Sequence, residues 1–270
     1  MSDDPANRFD SRESKLELAE AAVARSRARS AAFFSRLPDS DVIIEPYPAH
    51  LERDIVDDTY WAAAEDGSRP ARYQIALHHF AGTTRSNAEV TAFHEAYPGH
   101  HIEAGMSRKR AAAHPITRLV SNAAFEEGWA RYAEALAEEM GLYTSDYALA
   151  GRRLWPGRGM VVDPGIHLFG WTRERAAAYM AESGRMTPEE ADATVNRIAV
   201  WPGQYTAYDT GGLEFFALRA EAEAALGPRF DIREFHDVVL GNGSVTLPML
   251  REQVQRWLAA GPSGERASRA

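Results

Sequence analysis

The residues of this chain best suited to chemistry fall in one short stretch, HEAYPGHH at 94–101, which holds His94, Glu95, His100 and His101. Neutral imidazole nitrogens ligate transition metals, and a neighbouring carboxylate can accept a proton from an attacking water. The commonest arrangement puts the second histidine four residues after the first, on one helix face. Here that position is Pro98. Proline has no N–H and its ring crowds the carbonyl four residues back, so the helix carrying His94 must kink or bulge. In a straight helix His100 would stand roughly 120° from His94, and His101 only about 20°. If Pro98-Gly99 inserts two residues as a bulge, His100 returns beside His94. Both remain candidates for the second ligand, with His100 preferred.

A third ligand is expected from FEEGWARYAEAL at 125–136. Glu127 and Glu134 are seven residues apart and share one helix face. Glu127 is followed by Gly128-Trp129, which permits close approach of another helix, whereas Glu126, Glu138 and Glu139 read as solvated acids. The chain has no cysteine, so disulfides, thiolate catalysis and thiolate ligation are excluded. Two histidines and one carboxylate leave a fourth position open on zinc, the arrangement of a hydrolase in which Glu95 is the general base. Iron in a non-haem oxygenase takes the same donors, but Glu95 has no evident task there. A non-catalytic binding or assembly module is the other alternative.

The elements that must position these residues are mostly helices. SRESKLELAEAAVARSRARSAAFFSRL (11–37) is rich in helix formers and stops at Pro38. Further helices are expected over 87–112, 116–141, 172–183, 187–200, 210–226 and 246–259. Breaks are expected at His114-Pro115, WPGRG (155–159), DPG (163–165) and WPG (201–203). VIIEPYP and RYQIALHHF are the strand candidates. One mainly α domain with a small β element follows, spanning 12–259 between a disordered leader (1–11) and a disordered tail (260–270). The formal charge of −9 and the lack of a basic block argue against nucleic-acid binding. No segment is apolar enough to span a bilayer and the N-terminus is acidic and polar, so a cytoplasmic protein with no membrane contact is expected.

Taken in order, HEAYPGHH, EGWARYAE, VVDPGIHLFGWTRERAAAYM, RIAVWPGQYTAYDTGGLEFFALRAEAEAALG and FDIREFHDVVLGNGSVTLPML resemble the bacterial DUF885 family. That family is similar to the gluzincin zinc peptidases. The resemblance runs from about residue 12 to residue 258 and covers the C-terminal half of a full-length member. It implies a gluzincin-like helical domain holding zinc on His94, His100 and Glu127, with Glu95 as general base. His167 in DPGIH and Tyr208 in QYTAY correspond to polar residues placed over the substrate carbonyl. Arg197 and Gln204 correspond to neighbouring family positions without an assigned role. The chain departs from the family at Glu103 and in WPGRGMVVD. The implied substrate is a small peptide or amide, such as a dipeptide or an amide-linked metabolite.

Other residues have blander readings. His78 and His79 close a strand at an exposed end, and His50, His114 and His236 read as caps, surface groups or satisfied core residues. Asp163 stands either behind a metal histidine or in a turn. Trp155, Trp171, Trp201 and Trp257 read as packing.

Overall fold

The computed structural model describes residues 4–261 apart from 56, 65, 110–120, 154–156 and 183–185. Ser11 accepts a hydrogen bond from the Ser14 amide and opens α1, Arg12–Ser30. The helix ends short of the expected Pro38. Tight turns at Phe33 and Phe34, both bonded to the Ser30 carbonyl, drop Phe34 into the core against Trp129. The expected leader also differs over residues 4–11. Asn7 is buried and exchanges hydrogen bonds with Ser86, and Phe9 is buried too.

The β element is a three-stranded sheet of β1 (Ile43–Pro46), β2 (Thr59–Trp61) and β3 (Arg72–Ile75), in the order β1-β3-β2. β1 runs parallel to β3, and β2 runs antiparallel to it on the other edge. β3 is central because Tyr73 and Ile75 alternate inward and are fully buried. β2 was not legible in the sequence. Lys15 of α1 is buried and pairs with Asp58 at 2.9 Å, while also donating to the Ala76 carbonyl. That pair ties α1 to the start of β2.

Helices α2 (Arg85–Glu95), α3 (His100–Lys109), α4 (Ala123–Glu139) and α9 (Gln204–Leu226) frame the site. α5 (Asp146–Arg153), α6 (Arg158–His167), α7 (Arg173–Ala181), α8 (Pro188–Val200), α10 (Ile232–Leu240) and α11 (Leu247–Ala260) pack around them. α4 and α9 touch backbone to backbone. A Cβ on Gly128 would stand 2.4 Å from the Gly211 Cα, and one on Gly211 would stand 1.7 Å from the Ala124 carbonyl oxygen. The close approach expected of the Gly-Trp pair is therefore real. Phe125, Trp129, Tyr132 and Phe215 interlock around the crossing, all fully buried. Each stabilises the fold by about 2–3 kcal/mol through apolar burial. A satellite core of Val162, Met180, Val195 and Ile198 joins α6, α7 and α8.

The fold is thus mainly α with a small β element, as expected. Several boundaries differ. DPG is no turn: Pro164 lies inside α6. α9 begins at Gln204 rather than 210, because the Asp163 carboxylate accepts from the amides of Gly203, Tyr205 and Thr206. α5, α6 and α10 lie outside the expected helices. Trp257 packs as expected, but Trp201 is half exposed. His114, Trp155 and the start of the expected 116–141 helix lie outside the described residues, as does the tail beyond 261.

Candidate metal centre

Thr84 caps α2 by accepting from the Asn87 amide. The helix runs to Glu95 and stops, and the Tyr97–Pro98 peptide bond is cis. The Gly99 amide then folds back to the Phe93 carbonyl at 3.0 Å, and α3 starts at His100. A Cβ on Gly99 would stand 1.8 Å from the His94 carbonyl oxygen, so only glycine allows the fold-back. Trp129 of α4 donates from its indole nitrogen to the carbonyls of Pro98 and Gly99. Ser26 of α1 donates to the Tyr97 carbonyl at 2.7 Å. These bonds satisfy carbonyls freed by the break and fix the loop. The expected single helix over 87–112 is therefore two helices.

The break turns His100 back onto His94, with ring centroids 4.9 Å apart and nearly perpendicular. Glu127 of α4 faces both. Its Oε2 lies 3.4 Å from His94 Nε2 and 3.6 Å from His100 Nε2. These distances are too long for good hydrogen bonds. They are close to the donor–donor separation of about 3.3 Å that tetrahedral zinc bonds of ~2.0–2.1 Å would set. One donor atom from each of the three residues lies within 4.8 Å of the others. Glu127 Oε2 is buried and has no hydrogen-bond partner, the mark of an acceptor built for something else. The donor set fits a divalent metal. Between 12% and 17% of each of these three side chains reaches solvent, so the cluster is not sealed off from water.

A second layer of residues orients these candidate ligands. His94 Nδ1 lies 2.9 Å from Glu134 Oε1. A carboxylate only accepts, so Nδ1 carries the proton and Nε2 is left as the ligand atom. Arg131 holds the other oxygen of Glu134 and reaches Asp209 of α9 at 3.4 Å. Glu134, not Asp163, stands behind the histidine, and its spacing seven residues after Glu127 is the sequence signal for it. Asp163 caps α9 instead.

Glu95 stands beside the cluster without joining its donor set. Its Oε2 accepts from the Tyr60 amide of β2 at 2.8 Å, so the unread edge strand holds the expected general base. Burial pushes the Glu95 carboxyl up, against the pull of the His100 and His94 charges. Burial alone would lower His94, but the Glu127 and Glu134 carboxylates raise it to about 10; His100 is raised in the same way by Glu127. Glu127 is held well below the usual carboxylate range: burial would raise it, but His100 and His94 more than offset that. Three carboxylates around two imidazoles make an environment that favours a cation.

Tyr208 is brought to the cluster, its ring 6.1 Å from that of His94 and close to parallel. Burial and then the Glu127 charge raise its hydroxyl. Gln204 donates to Glu127 Oε1 at 2.8 Å and to the Tyr208 hydroxyl at 3.2 Å. Arg197 pairs with Asp57 at the surface. His167 is not brought into hydrogen-bond contact with the cluster: its Nε2 meets the Ile198 carbonyl at 2.9 Å and ties α6 to α8. His101 turns away, between the Tyr60 hydroxyl at 3.1 Å and the Ser40 carbonyl at 3.1 Å. His78 and His79 are exposed, and His236 is a satisfied core residue.

Known proteins place this centre in a family without assigning it a task. No curated protein matches the chain. A solved structure of a candidate lipoprotein from Colwellia psychrerythraea superposes with a TM-score of 0.90 at 32% identity. The match covers 96% of this chain and 46% of that one. A candidate lipoprotein of unknown function from Shewanella oneidensis shares the fold, with a TM-score of 0.70 at 21% identity over 90% of this chain and 48% of that one. The chain therefore spans less than half the length of either. The family model for bacterial proteins of unknown function DUF885 matches residues 1–254, and this chain belongs to that family.

Proposed function

We propose that this chain is a zinc-dependent hydrolase of the gluzincin kind, holding the metal on His94, His100 and Glu127 and cleaving an amide or peptide bond. The observation that carries the reading is the buried, partnerless Glu127 Oε2 facing the Nε2 atoms of both histidines. Zinc in such a site supplies Lewis-acid polarisation of a carbonyl and acidifies water. Glu95 takes the proton of the attacking water on its carboxylate and delivers it to the leaving nitrogen. Burial raises its carboxyl, which makes it a better proton acceptor than an exposed carboxylate. Tyr208 donates its hydroxyl hydrogen to the oxyanion. The substrate class is a small peptide or amide, such as a dipeptide or an amide-linked metabolite.

Glu95→Gln tests this. Glutamine keeps size and hydrogen bonding but cannot accept the proton. The variant should bind zinc normally and lose cleavage of small peptide amides by roughly 10² or more. Unimpaired cleavage with full zinc would overturn the mechanism, and loss of zinc would make Glu95 a ligand. Among the described residues no helix is long and apolar enough to cross a membrane. Both solved neighbours are described as candidate lipoproteins, which favours an anchored setting over the cytoplasmic one expected from the polar N-terminus. Fractionation of the native protein decides between them.

A further inference from the structure

We propose that Gln204 is a positioning residue that holds Glu127 as a one-oxygen ligand and leaves the Tyr208 hydroxyl hydrogen to be donated; this rests on the metal-site reading above. Gln204 is the first residue of α9, directly after Gly203, whose φ of 84° turns the chain into the helix. The Asp163 carboxylate fixes that turn by accepting from three amides around it. Gln204 and Tyr208 are four residues apart, on one face of α9.

The amide orientation follows from chemistry. Glu127 Oε1 can only accept, so the Gln204 atom 2.8 Å from it is the nitrogen. The same nitrogen lies 3.2 Å from the Tyr208 oxygen. Its two hydrogens serve both bonds. Two consequences follow. Glu127 Oε1 is engaged, so the carboxylate presents only Oε2 to the histidine nitrogens. The Tyr208 oxygen accepts from Gln204, so its own hydrogen takes no part in that bond and remains to be donated. Leucine at 204 would do neither. Glutamate would repel Glu127 and draw the Tyr208 hydrogen to itself.

Zinc affinity, read by chelator competition on the full chain, tests the proposal with wild type, Gln204→Leu, Gln204→Ala and Tyr208→Phe. Both Gln204 variants should lose affinity about 10-fold or more, the usual scale for removing a residue that orients a ligand, while Tyr208→Phe stays within about twofold. Two Gln204 variants are used because alanine at this partly exposed first helical position keeps the fold should leucine disturb it. Cobalt(II) in place of zinc separates positioning from general loosening. The visible absorption of wild type should be that of a four-coordinate ion, and it should weaken in Gln204→Leu as Glu127 swings to two-oxygen binding. Unchanged zinc affinity and cobalt spectrum in both Gln204 variants would overturn the proposal and leave the metal site standing. A wild type that binds no zinc would overturn both.

Discussion

His94 and His236 are both withdrawn from solvent, yet they are held in opposite ways. His236 is fully buried between neutral partners, with Nδ1 2.8 Å from the Phe33 carbonyl and Nε2 2.9 Å from the Tyr132 hydroxyl. Both ring nitrogens are satisfied, and burial pushes the ring down to about 3. His94 sits among carboxylates, is raised to about 10, and faces a buried carboxylate oxygen that nothing satisfies. His236 closes its hydrogen-bond account inside the protein; His94, in the proposed metal site, leaves one open. Burial alone would not have told them apart.

The largest break in this comparison should come at the ligands. His94→Ala, His100→Ala and Glu127→Ala are each expected to abolish zinc retention through gel filtration, whereas His101→Ala keeps most of it. The expectation for His101 rests on its bonds to Tyr60 and Ser40, which point it away from the donor cluster. Zinc loss in His101→Ala with retention in His100→Ala would reverse the assignment.

Tyr208→Phe should come next. It removes one oxyanion donor and leaves the donor set intact, so kcat on a cleaved amide should fall by about 10² to 10³ at unchanged zinc content. Wild-type rates would return Tyr208 to packing.

The smallest effect is expected at His236, and it appears only as pH falls below neutral. Its folded value of about 3 lies below the ordinary 6.5, so the unfolded chain takes up a proton first as pH falls. Its contribution to stability is therefore complete above pH 6.5 and is lost progressively from there down to about 3. Urea unfolding at pH 7.5 and 5 should show this loss in wild type. His236→Asn, which does not titrate, should show a smaller loss across the same interval, whatever its stability at pH 7.5. An equal loss would mean that other groups carry the acid sensitivity.

How much of the site was legible depends on whether its cause was local. The Pro98-Gly99 break is written in two adjacent residues whose backbone limits are absolute, so the return of His100 could be reasoned out. Gly128 after Glu127 announced a close helix crossing for the same reason. The identity of the partner was not local: nothing near Gly128 points to Gly211, eighty-three residues on. β2 was missed because TYW is three residues long and its pairing with β3 is set by tertiary contacts. With it went the Tyr60 amide that holds Glu95. DPG misled because proline and glycine usually end helices, whereas here the Asp163 side chain caps a different helix. Gln204 was legible as a position, but its task emerges only when α9 is laid against α4.

The metal content of the native chain, purified without chelator or added metal, tests the central claim most directly. Elemental analysis should find close to one zinc per chain. Iron in its place would favour the oxygenase alternative, and a chain free of metal that takes up none on zinc addition would contradict the site altogether.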